Sequence, residues 1–170
     1  PRYSFKWLKE EKWFGDKIYR LDPLFKFGNA AVIKIKQAEL QNYDVLHLHY
    51  PFIGGIKEVL RLKKEKDLPL VVTYHMDLIA SGWRGIFFKV YSWLTLPKIV
   101  KIADQIIFSS LDYGQNSFLA KYLKKQPNKF SVIPFGVEKK DLELTKIEVR
   151  NQLGLDQKEK IILFVGALDK

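Results

Sequence analysis

Short apolar runs recur along the chain, each closed by a turn or breaking residue and separated from the next by a helical stretch. They are Val45-Leu46-His47-Leu48-His49-Tyr50 before Pro51, Leu70-Val71-Val72-Thr73-Tyr74 before His75, Gln105-Ile106-Ile107-Phe108, Phe130-Ser131-Val132-Ile133 before Pro134, and Lys160-Ile161-Ile162-Leu163-Phe164-Val165-Gly166. Each has a strand's length, and β-branched and aromatic residues are frequent in them. Strands apolar on both faces belong in parallel sheets covered by helices, and crossovers of this length are right-handed βαβ units. The expected fold is therefore α/β: a Rossmann-like parallel sheet with helices on both faces.

The segments between the strands read as follows. A basic helix is predicted over about Ile56 to Lys66, and a long helical stretch falls within 77–101, where Pro97 bends or ends it. Ser109 with Asp112 has the spacing of a capping box, opening a helix to about Lys124. Thr145 with Glu148 is a second box, whose helix stops at Leu153 with Gly154 placed for the left-handed C-cap. Upstream, Asp16 to Arg20 reads as a short strand in an otherwise irregular opening, and Asn29 can cap a helix through Ala30, Val32, Ile33, Ile35 and Leu40. No internal repeat is present.

Composition removes several function classes. With 170 residues, 47% of them hydrophobic, the chain is about one domain long and has enough apolar surface for a core. There is no cysteine, which excludes a disulfide scaffold, a thiolate metal site and a cysteine nucleophile, and suits a reducing, cytoplasmic compartment. No run approaches the roughly 18–20 apolar residues of a membrane span; the best, Ile86 to Val100, is broken by Lys89 and Lys98. No secretory signal opens the chain. The net charge is +10, but residues 1–85 hold 15 basic and 10 acidic groups and residues 86–170 hold 14 and 9. An excess spread so evenly suits solubility and loose attraction to phosphate or anionic lipid, not a nucleic-acid footprint.

In open α/β sheets, ligands bind beyond the carboxyl ends of the strands. That singles out His49 to Gly55, His75 to Asp77, Ser109-Ser110 and Pro134 to Val137. His47 and His49 share one side of their strand, and His75 ends the next. Two readings compete. His47, His49 and His75 with Asp77 could hold Zn²⁺ or Fe²⁺ and make a metal-dependent hydrolase. Alternatively His47 is a hydrogen-bonded core histidine while His49 and His75 face a cleft. A neutral imidazole at His75 can exchange a hydrogen bond with a sugar hydroxyl, and Asp77 can orient a hydroxyl, raise that histidine's basicity, or cap a helix. Gly54-Gly55 permits close backbone approach, and Met76 lies between His75 and Asp77. Neither a dinucleotide glycine fingerprint, a P-loop nor a nucleophile elbow occurs. The 83–101 stretch interleaves Trp83, Phe87, Tyr91 and Trp93 with Arg84, Lys89, Lys98 and Lys101. Such a helix either packs on the sheet with snorkelling lysines or lies on an anionic membrane as a binding module.

Five motifs occur in order: "YDVLHLHYPF", "LPLVVTYHMD", "ADQIIFSSLDYG", "VIPFGVE" and "IILFVGALDK". From about Ile18 onward the chain resembles the GT-B, retaining, nucleotide-sugar-dependent glycosyltransferases of the group 1, glycogen-synthase-like type. The resemblance implies two Rossmann-like domains, the first binding the acceptor and the second the nucleotide-sugar. It implies that residues 1–137 are part of the acceptor-side domain without its first strand, 138–159 a linker region with a helix, and 160–170 the first strand of the donor domain. Pro1 and Asp169-Lys170 then read as cuts in a longer chain, and 160–170 as loosely held or opportunistically paired.

The resemblance implies a catalytic role for His75 and donor-side cleft lining for Gly136 and Val137; His49, Gly54, Gly55, Met76 and Asp77 are expected to bind substrate from their places at the strand ends. Asp104 and Ser109 belong to a motif that is mostly architectural. Neither a metal nor a cofactor is expected beyond the nucleotide-sugar substrate. The partners implied are that donor, a sugar or lipid-linked acceptor, and a peripheral contact with the cytoplasmic membrane face. Where the family commonly carries a diphosphate-binding arginine after Val165-Gly166, this chain has Ala167.

Overall fold

The structure, a computed structural model, describes residues 10–13, 16–19, 21–27, 30–35, 43–136 and 145–164. The chain forms two compact units, residues 1–135 and 136–170.

The first unit is built on four parallel strands, β5 (Leu46–Tyr50), β6 (Leu70–Tyr74), β7 (Gln105–Phe108) and β8 (Phe130–Val132), side by side in that order. Each crossover carries helix: α1 (Ile56–Lys66), α2 (Gly82–Ile102), and the short pair α3 (Leu111–Asn116) and α4 (Ala120–Lys125). This is the expected Rossmann-like α/β parallel sheet with helical crossovers, but among the described residues those helices lie on one face and not on both as expected. Two antiparallel hairpins precede it: β1 (Glu10–Trp13) with β2 (Asp16–Tyr19), and β3 (Phe25–Phe27) with β4 (Ala30–Val32).

The strands bury one face far more than the other. Leu48, Tyr50, Leu70, Val72, Tyr74, Ile106 and Phe108 form one buried cluster with Ile56 and Val59 of α1, Leu96, Ile99 and Val100 of α2, and Leu119 at the start of α4. All the crossover helices therefore cover the same side, as right-handed crossovers between strands laid down in sequential order require. The residues between, His47, His49, Val71, Thr73, Gln105, Ile107 and Ser131, make up the second face. Apart from Val71 and Ile107 it is polar, and it is hydrogen-bonded across strands: His47 Nε2 lies 2.8 Å from Thr73 Oγ1, and Gln105 Nε2 donates to Ser131 Oγ at 2.6 Å. His47 accordingly is hydrogen-bonded but exposed, not a core histidine.

Several local expectations change. Residues 30–35 hold no helix: Ala30–Val32 pairs with β3, and Ile35 then lies along α1, donating its N–H to Glu58 Oε1 at 2.8 Å. Pro97 does not end α2, which runs five residues further. A proline removes one N–H, and its vacated acceptor belongs to Trp93, on the exposed side where water can serve. Ser110, not Ser109, caps α3, accepting from the Tyr113 N–H at 3.1 Å. The single helix expected up to Lys124 is broken at Ser117 into α3 and α4. Asp104 is the architectural tie the motif implied. Its Oδ2 accepts from the Leu70 N–H at 2.6 Å and meets Lys63 Nζ at 3.1 Å, joining the starts of β6 and β7 to α1.

In the second unit, α5 (Lys146–Gln152) opens on the predicted Thr145–Glu148 capping box and ends with Gly154 at φ 67°. Residues 160–164 form no strand, so the predicted Lys160–Gly166 strand is absent over its described part; Val165 onward lies outside the described residues. Among the described residues this run has no strand partner, and Ile162 and Leu163 are 99% and 81% exposed.

Candidate functional site

His75 continues β6 past its last sheet residue. Its N–H donates to the Tyr50 carbonyl at 3.0 Å, holding the ends of β5 and β6 together. The side chain is half-buried, and two neighbours fix its ring. Nε2 lies 2.7 Å from His49 Nδ1, with ring centres 5.0 Å apart and planes 15° apart. Two imidazoles meeting edge to edge in nearly one plane have this geometry. Phe135, just beyond β8, lies nearly parallel to His75 at 5.3 Å and 17°. Offset parallel contact of this kind is favourable for aromatic rings. His47 leans on His49 at 4.5 Å.

One proton is shared along the His49–His75 edge. If His49 Nδ1–H donates, His75 presents Nδ1–H as a donor; in the other tautomer His75 presents Nδ1 as an acceptor. Burial, with the neighbouring His49, pushes the His75 pKa below the usual value, and burial with His49 and His75 does the same for His47. Both shifts favour neutral imidazoles, the form that hydrogen-bonds a hydroxyl in either direction. Among the described residues no group of three or more histidine, aspartate or glutamate side chains is placed to hold a metal ion.

The other candidates take up distinct positions. Asp77 is spoken for by the fold: it accepts from the Tyr74 hydroxyl and from the Phe118 N–H at 3.1 Å, tying the loop after β6 to the corner between α3 and α4. Burial and Asp77 raise the Tyr74 pKa, so that hydroxyl remains a donor. Met76 beside it is exposed. At Gly54 (φ 91°) a Cβ would stand 2.2 Å from the Ala31 carbonyl oxygen, and at Gly55 2.2 Å from the Phe52 ring. The close approach these glycines permit is made by the chain itself. Gly136 is exposed at the start of the second unit, and Val137 lies outside the described residues.

Two features went unread in the sequence. Phe135 stands inside a quoted motif, yet nothing local says that it reaches a residue sixty positions earlier. A cavity of about 840 Å³ beyond the ends of β5 and β6 draws on the start of α2, whose aromatics gave the only signal. A second cavity of about 390 Å³ opens beside β5, fronted by His47 and His49. Pro51 and Phe52 line both.

The sequence profile of Glycosyltransferase Family 4 matches residues 6–141. Among curated proteins, the O-antigen chain mannosyltransferase C of Escherichia coli is 32% identical over 144 residues, covering 83% of this chain and 35% of that protein. The chain thus spans about a third of that relative's length.

Proposed function

The chain belongs to Glycosyltransferase Family 4, the group 1 glycosyltransferases, and we propose on that premise that the protein carrying it moves a sugar from a nucleotide-sugar to a hydroxyl of a glycan or lipid-linked acceptor. The observation that carries the reading is the imidazole of His75, held at the carboxyl end of β6 by His49 at its edge and Phe135 on its face. Ligands of open α/β sheets bind at such ends.

In this reading the bond between the anomeric carbon and the diphosphate oxygen breaks. The acceptor oxygen forms the new bond to that carbon, and the acceptor's proton passes to the departing diphosphate. His75 contacts the transferred sugar through Nδ1, and its neutrality keeps it from competing as a cation for the leaving group. His49 orients it. The donor is held by a second domain beyond Lys170, so the 170 residues alone are inactive. Helix amino ends and basic side chains of that domain offset the diphosphate charge without a metal. With Ala167 in place of the usual arginine, either another basic residue serves or the donor phosphate is bound differently. Mannose is the first sugar to try, because the E. coli relative is a mannosyltransferase.

The test is a panel of nucleotide-sugars offered to the longer protein, with nucleotide release and acceptor modification both measured. Transfer from one donor is expected; hydrolysis of none and transfer from none would remove the reading.

A second reading, compatible with the first, is peripheral attachment to an anionic cytoplasmic membrane face. It is favoured by α2, which packs through Ser92, Leu96, Ile99 and Val100 but leaves Trp83, Ile86 and Trp93 exposed at 65%, 69% and 71%. The helix carries Arg84, Lys89, Lys98 and Lys101 and no acidic residue. An aromatic and basic surface of this kind suits an anionic interface. Co-sedimentation with anionic but not neutral vesicles is expected; equal binding to both would remove it.

A further inference from the structure

The 840 Å³ cavity has the volume of a small-molecule site but the wrong walls for a sugar. Phe52, Ile53, Leu78, Trp83 and Phe87 face it, with Arg84 as the one charged side chain in its lining. Sugar hydroxyls placed there would lose water without gaining partners. An apolar chain would lose nothing. Arg84 requires a different kind of group. Its guanidinium stands 5.8 Å from the Trp83 ring centre, a cation–π contact between two residues of the cavity lining. Among the described residues no carboxylate pairs with it. Apolar walls with a single unneutralised cation at the rim complement one chemical class: an amphiphile with a hydrocarbon chain and an anionic head.

We infer that this cavity holds the hydrocarbon chain of a lipid phosphate, with Arg84 on the phosphate. The inference rests on the glycosyltransferase reading for its purpose, since the lipid phosphate would be the acceptor or its anchor. Pro51 and Phe52 form the wall shared with the cavity fronted by His47 and His49. A head group extending past that wall leads toward His49, whose ring is hydrogen-bonded to His75. The guanidinium suits phosphate better than a lysine would, because its planar fork meets two oxygens at once.

The experiment uses dodecyl phosphate below its micelle concentration as the probe, followed by calorimetry on the longer protein, with no nucleotide-sugar present. Saturable binding is expected. Arg84→Gln should weaken it about tenfold or more, and inorganic phosphate alone should bind at least tenfold more weakly than dodecyl phosphate. Ala31→Leu, which fills the cavity from its β4 side, should weaken dodecyl phosphate to a similar degree while keeping the wild-type melting temperature, which separates filling from misfolding; Lys121→Ala, an exposed position outside the cavity lining, should bind it within about threefold of wild type. Binding unchanged by both Arg84→Gln and Ala31→Leu would overturn the inference, as would equal affinity for a neutral dodecyl glycoside. Vesicle binding without any binding of the monomer would overturn it too, leaving only the surface of α2. The two readings fail separately. A protein that binds dodecyl phosphate but transfers no sugar keeps the site and loses the glycosyltransferase assignment. One that glycosylates free saccharides and ignores dodecyl phosphate does the reverse.

Discussion

Leu70-Val71-Val72-Thr73-Tyr74 and Ile161-Ile162-Leu163-Phe164 are written in the same alphabet and end oppositely. The first run is β6, hydrogen-bonded on both sides, with Leu70, Val72 and Tyr74 at 0%, 0% and 1% exposure. The second has no strand partner among the described residues and leaves every one of its side chains half or more in water, apart from Ile161 at 49%. An apolar, β-branched run is thus a request for a neighbour. The first unit supplies two neighbouring strands and a layer of crossover helices; the second supplies no strand among its described residues. β propensity describes how a side chain fits a pleated, half-buried surface, and without that surface it specifies nothing.

Hydrogen exchange should separate the two runs most widely. Amides of β6 and β7 should exchange on the order of a thousandfold or more slower than those of 161–164, because the former open only with the whole unit. Equal rates would erase the contrast. Truncation comes next. Phe108→Ala should destabilise the first unit by about 3–5 kcal/mol, and Leu163→Ala should stay within about 0.5 kcal/mol, both read from denaturant midpoints. A large effect at Leu163 would mean that this run is buried after all.

Glu58 tests how α1 is tied to the segment that follows β4. Hydrogen bonds from Arg61, together with the Ile35 N–H, hold its carboxyl down to about 2. The folded value lies below the unfolded one, so the contribution is complete above about pH 4.5 and is lost as pH falls toward 2. Glu58→Ala should cost about 2 kcal/mol at neutral pH, and the gap from wild type should close on acidification through that window. A gap constant with pH would contradict the carboxylate's role. The smallest effect expected is at Thr145, where alanine removes the cap of α5. It should cost that helix about 1 kcal/mol, seen as a loss of helical signal without any change in the melting of the first unit.

The sequence was legible where local chemistry and tertiary partners agreed. α1, β6, β7 and the Thr145–Glu148 box lie within a residue of their expected places because hydrophobic period, caps and turn residues all point the same way. The helix expected from Asn29 failed because the apolar spacing of Ala30, Val32 and Ile33 suits either period. Gly28-Asn29, a hairpin dipeptide, was the overlooked signal. The break between α3 and α4 could not be read locally, since Asp77, forty-one residues away, captures the Phe118 N–H. The unequal faces of the sheet were in view all along: His47, His49, Thr73 and Gln105 alternate with Leu48, Tyr50, Val72 and Ile106. Treating those strands as apolar throughout obscured the polar face from which the two β5 histidines project. His75 was located by its place at a strand end. Its company could not be, because His49 and Phe135 reach it through sheet order, which no local pattern encodes.

The most direct trial of the account is the turnover of the longer protein with His75→Ala, measured against wild type at saturating nucleotide-sugar and with matched melting temperatures. Loss of a positioned imidazole that touches the reacting sugar should lower kcat by about a hundredfold or more. Turnover within about threefold of wild type would show that the sheet's end holds an ordinary packed histidine and that the chemistry lies elsewhere.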